Sequence, residues 1–210
     1  MAIIHNTTLK PTKLELLTTW LPTRPWYAGS GAPELTKAGG FRLDDPEGEV
    51  GIEFMVALDT SGPEPVAYHV PLTYRAAPLP GADHALVGTM EHGVLGPRWA
   101  YDGLHDTVLR TELLALFEGR AQAMAQSISD TPDHEVAHSY AGPALPTGPA
   151  EITEDRDGGT DLTLPDGTLL RVHRTLSAAA PEGVSGQVSA PWNAPDGTRV
   201  RSVFASLRTP

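Results

Sequence analysis

The chain contains no cysteine, which removes disulfide frameworks, thiolate zinc sites, cysteine nucleophiles and iron–sulfur clusters together, and fits a reducing compartment. Aromatic residues are scarce, at 6%. No run approaches the roughly eighteen apolar residues of a membrane span, and "MAIIHNTTLKPTKLELL" lacks a basic stretch followed by an apolar one, so a cytoplasmic protein with no membrane contact is expected. Basic residues are in deficit, 15 against 26 acidic, for a formal net charge of -11. That field repels nucleic acid and anionic lipid, and no Lys/Arg run supplies a local exception.

Glycine and proline are plentiful, 21 and 20 of 210 residues. Many turns joining short strands follow from this, rather than long helices. The stretch from Ala2 to Leu9 is a first strand candidate. In "PTKLELLTTWLP", Thr12 with Glu15 forms a capping box, Leu14, Leu17 and Leu21 share one helical face, and Pro22 ends the run. Apolar alternation then marks strands at Glu34 to Leu43, Val50 to Leu58, Val66 to Tyr74, Ala85 to Met90 and Gly93 to Tyr101, read as an antiparallel meander with one buried face. From the N-cap Asp106, the residues Val108, Leu109, Leu113, Leu116, Phe117, Ala121, Met124 and Ile128 recur at helical spacing, which predicts a helix to about Ile128.

Pro132, Gly142, Pro143, Pro146, Gly148 and Pro149 then break the chain into a loop with at most one helical turn. Beyond it P-D-G-T occurs twice, at Pro165 to Thr168 and Pro195 to Thr198, each between β-rich stretches, as expected of two hairpins with Asp-Gly turns. The expected fold class is α+β: a curved antiparallel β-sheet packed on two main helices, with C-terminal β-hairpins. The expected division is a domain over 1–130, a Pro/Gly-rich linker over 131–152 and a β-hairpin extension over 153–210 that either stands alone or joins the same sheet.

One motif carries chemistry by its letters. His134-Glu135-Val136-Ala137-His138 fits H-E-x-x-H, in which a helix aims two histidines at zinc and the glutamate activates the bound water. Asp133 or Thr131 could cap such a helix, but Gly142 and Pro143 end it within about two turns, and metzincin spacing would need a glycine and a histidine where Ala141 and Leu145 stand or adjoin. Glu151 and Glu154 lie in a proline-flanked polar stretch. No metal is therefore expected beyond an adventitious ion on His134 and His138, and His69, His84, His92, His105 and His173 have no ligand-like spacing. G-x-S-x-G, the phosphate loop, D-F-G and H-x-D-x-x-x-x-N are all absent.

Two stretches resemble a known family. "LTTWLPTRPWYAGSG", a helix running into Arg24, Trp26, Tyr27 and Gly29, is similar to the N-terminal cap segment of actinobacterial maltokinases and related sugar kinases, where such a helix leads to an R-W-[FY]-x-G-K-like run. "GVLGPRWAYDGLHDTVLRTELLALF", with Arg98, Trp99, Tyr101 and Asp102, resembles the later part of the same cap. Pro25 and Ser30 depart from the usual run. The resemblance implies a curved antiparallel sheet with helices and a non-catalytic, cofactor-free accessory or regulatory protein. Its partner would be a sugar kinase, a trehalose, maltose or glycogen enzyme, or a second copy of itself. Arg24, Trp26, Tyr27, Gly29, Arg98, Trp99, Tyr101 and Asp102 are the candidate binding residues. Two other readings compete: a carbohydrate-binding module that stacks sugars on exposed Trp26, Trp99 or Trp192, and a metal-dependent hydrolase working through His134 and His138.

Overall fold

The computed structural model describes residues 8–154 and 157–210. The expected first strand falls mostly outside these, and its described end forms the two-residue strand β1 (Leu9–Lys10). Helix α1 (Lys13–Trp20) begins with the anticipated capping box: the Thr12 hydroxyl accepts from the Glu15 amide at 3.2 Å, and the Thr12 amide donates to the Glu15 carboxylate at 2.7 Å. Eight residues are too few for a helix stable by itself. Burial of Leu17, Trp20 and Leu21 against the sheet supplies the rest, at ~1.5–3 kcal/mol per large apolar side chain.

The meander follows as β2 (Leu35–Asp44), β3 (Gly51–Asp59), β4 (Val66–Arg75), β5 (Leu86–His92) and β6 (Gly96–Asp102). Alternation implies one buried face, but β3 and the middle of β4 are buried on both. Ile52, Phe54, Val56 and Leu58 join the core formed with α2 (Thr107–Phe117), while Met55 and Ala57 face α1 and the tryptophan loop on the opposite side.

Helix α2 ends at Phe117, eleven residues short of the expected Ile128. The cause is Gly119, at φ +70°: its amide bonds the Leu116 carbonyl at 3.1 Å and the Arg120 amide bonds the Ala115 carbonyl at 2.8 Å, a Schellman closure. Ala121, Met124 and Ile128 keep the helical spacing only by coincidence. Met124–Ala125 is the strand β7, paired with β2, and Ile128 is exposed.

The proline-rich stretch also departs from a plain loop with a helical turn, because Ala137–Tyr140 forms strand β8 and pairs with β12 (Gly186–Asn193). The remaining strands are β9 (Glu151–Glu154), β10 (Gly159–Thr163), β11 (Leu169–His173) and β13 (Arg199–Arg208). Both P-D-G-T turns connect antiparallel neighbours, β10 with β11 and β12 with β13. Among the described residues thirteen strands form one open antiparallel sheet, with main path β1-β5-β6-β4-β3-β2-β12-β13-β11-β10-β9. Two helices of eight and eleven residues beside such a sheet make the fold largely β rather than an even α+β mixture.

Two junctions join the early and late strands. β2 meets β12 at Gly39 and Trp192, next to Gly40 at φ +126°, where any Cβ would run into the Phe54 carbonyl. The chain after β11 returns to β4: Thr175 bridges Tyr68, the His69 amide donates to the Arg174 carbonyl at 2.8 Å, and the Leu176 amide donates to the Ala67 carbonyl at 2.9 Å.

Candidate functional site

After α1, Pro22 sits in the 3-10 turn Leu21–Thr23, and the Tyr27 amide reaches back to the Arg24 carbonyl at 3.1 Å, so the loop folds over β4. Trp26 becomes a plug, 2% exposed. It meets Trp20 edge-on at 5.7 Å and Tyr68 at 6.0 Å between centroids, and its indole N–H donates to Glu154 at 3.3 Å. The Arg24 guanidinium lies 4.8 Å over the Trp20 ring and 3.9 Å from the Glu154 carboxylate. Half-buried Tyr27 donates from its hydroxyl to the Gly31 carbonyl at 2.8 Å, and partial burial raises the pKa of that hydroxyl, with the charge of Asp59 adding to the effect. Gly29 is exposed, and a Cβ there would strike the Tyr27 ring.

Beneath the plug lies a buried ion pair. Arg174 is fully enclosed, its guanidinium 5.0 Å over the Trp26 ring and 2.6 Å from the Asp102 carboxylate, which is itself 1% exposed. Arg174 Nε donates to Thr160 Oγ1 at 2.8 Å, while Nη1 has no partner. Asp102 also accepts from the Leu104 amide at 3.3 Å. Two groups of residues picked out separately in the sequence thus meet: Arg24 and Trp26 from the first, Asp102 from the second. Arg174, Glu154 and Tyr68 complete the cluster and were not among the candidate binding residues, because their contacts join distant positions, 40 apart for Tyr68 with Ala28, 72 for Arg174 with Asp102 and 128 for Glu154 with Trp26.

The other candidates go elsewhere. Tyr101 is 1% exposed, its hydroxyl accepting from the Leu79 amide at 2.9 Å, and half-buried Trp99 packs against the same small core of Ala82 and Ala85. Arg98 bonds the Pro97 carbonyl at 2.8 Å. Trp192 is buried and donates to Ser202 Oγ at 2.9 Å. Of the three proposed stacking platforms only Trp99 keeps partial access, and buried indoles cannot stack on a sugar.

H-E-x-x-H is laid out as a turn followed by a strand. His134 and Glu135 occupy the turn, His138 pairs with Val188 in the sheet, and Glu135 forms an ion pair with Arg199. A strand cannot bring residues four apart to one metal as a helix does. Among the described residues no group of three or more His, Asp or Glu side chains could hold a metal ion.

Another buried charge is structural. Glu53, 3% exposed, accepts from Lys13, from the Tyr74 hydroxyl at 2.6 Å and from Gln126 at 2.8 Å. Burial pushes its pKa up, but the Lys13 ammonium and the Tyr74 hydroxyl outweigh that and hold it below the usual range. A crevice of about 240 Å³ lies between α2 and the β10–β11 turn, with Arg110, Thr107, Thr111 and Thr147 at its polar wall and Leu114, Leu164 and Leu170 at its floor.

The comparison with known families bears on the tryptophan loop, the meander and the 3-10 turn that leads into α2. Residues 20–106 match the model of the maltokinase N-terminal cap domain. The resemblance to that cap is thus borne out over these residues. The matched segment includes the tryptophan loop, all five meander strands and Asp102, and stops at the N-cap of α2. This family is the non-catalytic part of maltokinase. No curated protein matches the chain. No helix among the described residues is long and apolar enough to cross a membrane.

Proposed function

We propose that this protein is a non-catalytic cap-like accessory or regulatory protein that acts by binding a sugar kinase or another enzyme of trehalose, maltose or glycogen metabolism. The observation that carries this reading is the cap-domain match over 20–106. The internal chemistry of the cap agrees with it. Glu53, Asp102 and Asp106 are each tied to a cationic side chain, as expected of groups that hold a scaffold rather than turn over a substrate. Arg24, Tyr27 and Gly29 form the accessible rim of the tryptophan loop and are the residues offered to a partner.

Full-length protein immobilised and washed with lysate of its native host tests this. The expected result is stoichiometric capture of a sugar kinase or a glycogen or trehalose enzyme, weakened by Arg24→Glu. Capture of no such enzyme, together with direct binding of maltose or maltooligosaccharides, would favour the carbohydrate module instead.

A further inference from the structure

His84 and His105 are twenty-one positions apart and share no ligand-like spacing, yet the fold brings them together. His84 sits in the 3-10 turn Asp83–Ala85 ahead of β5, and His105 in the 3-10 turn Gly103–His105 ahead of α2. Their rings stand edge to face, 87° between planes, with centroids 4.7 Å apart and His84 Nε2 3.1 Å from His105 Nδ1. The centroids are closer than a head-on approach of the two nitrogens would place them, so the contact is bent and makes a poor N–H···N bond.

The spacing suits a shared ion. Nitrogens about 2.0–2.1 Å from one metal lie ~3.3 Å apart at the tetrahedral angle and ~2.9 Å apart at a right angle. The observed 3.1 Å falls between these. Exposed His84 gives access from solvent, while half-buried His105 anchors the pair. We propose that His84 and His105 form a two-histidine site for a divalent transition-metal ion of the zinc or copper class, with water filling the remaining positions. No third protein ligand is in place among the described residues. Bound there, an ion ties the loop before β5 to the turn before α2, three residues from Asp102, and so reinforces the ground on which the Arg174 pair stands.

The test uses tag-free, chelator-stripped, full-length protein at about pH 7.5, where imidazole is free to ligate. It is titrated calorimetrically with Zn²⁺ and, separately, with Cu²⁺, and the copper adduct is examined by electron paramagnetic resonance. The expected result is one ion per chain with low-micromolar affinity and coupling to two imidazole nitrogens. His84→Gln, a change at an exposed side chain, weakens binding by more than the ~10–100-fold that loss of a mere supporting contact costs. His105→Gln does the same, and circular dichroism confirms that both variants are folded. The His134→Ala/His138→Ala double variant leaves affinity and coupling unchanged. Absence of stoichiometric binding, or binding that survives His84→Gln and vanishes in the double variant, overturns the proposal.

Discussion

Replacing Arg174 by methionine probes the joint between the early strands and the late ones. The guanidinium is fully buried, bonds Asp102 at 2.6 Å and Thr160 at 2.8 Å, and lies over Trp26. Methionine fills much of the volume but leaves the Asp102 carboxylate, 1% exposed, without its counter-charge. Breaking a buried pair by removing one partner costs ~3–5 kcal/mol. In a chain of 210 residues that lowers the thermal midpoint by roughly 6–20 °C. Removing both charges, as in Arg174→Met with Asp102→Leu, takes away the unpaired group and recovers most of the loss, because desolvation of the pair offsets most of its attraction. Urea unfolding of the wild type, both single variants and the double variant forms a thermodynamic cycle. A coupling below ~1 kcal/mol, or a single-variant loss no larger than that of an exposed pair such as Glu135–Arg199, would refute the reasoning, since it would mean that Arg174 and Asp102 remain hydrated.

Other perturbations have equally definite outcomes. Gly119→Ala forces a side chain into the left-handed region that closes α2 and costs ~1–2 kcal/mol, whereas Gly31→Ala, where a Cβ meets nothing within 4 Å, leaves stability unchanged; equal effects in urea unfolding would sink the Schellman account. His69 gives a pH signature: it is enclosed between Phe54 and Phe204, its Nδ1–H donates to the His173 carbonyl at 2.9 Å, and burial lowers its pKa to about 3 from an ordinary 6.5. Below pH 6.5 the unfolded chain takes up a proton that the folded chain refuses, so stability falls with pH by up to about 1.4 kcal/mol per unit until about pH 3. His69→Leu should flatten that slope relative to wild type, and an unchanged difference between pH 6.5 and pH 4.5 would contradict the burial.

Much of the framework could be read directly from local residue patterns. The capping box at Thr12, the five meander strands and the Asp-Gly turns all depend on residues within a few positions of one another, where propensity and periodicity act. Helix α2 shows the limit of that reading. Its apolar period continues through Ala121 and Met124, but one glycine in the left-handed conformation outweighs three correctly spaced hydrophobes. Likewise, alternation in β3 pointed to one buried face, because a local pattern does not reveal that α1 covers the other.

The candidate site divides the same way. Trp26 and Asp102 could be picked out from their surroundings, but not that Arg174, from the far end of the chain, would lie between them. The H-E-x-x-H letters predict a metal centre only where a helix carries them, and here a turn holds His134 while pairing with β12 puts His138 in a strand.

The sequence alone therefore determined the cap-like order of elements, the acidic charge and the absence of thiol and phosphate-loop chemistry, since each depends on composition or on neighbours along the chain. The tertiary structure decided which charges are buried in pairs, which indoles remain accessible and which histidines meet. Those outcomes depend on strand pairing between distant residues, whose register no local pattern encodes.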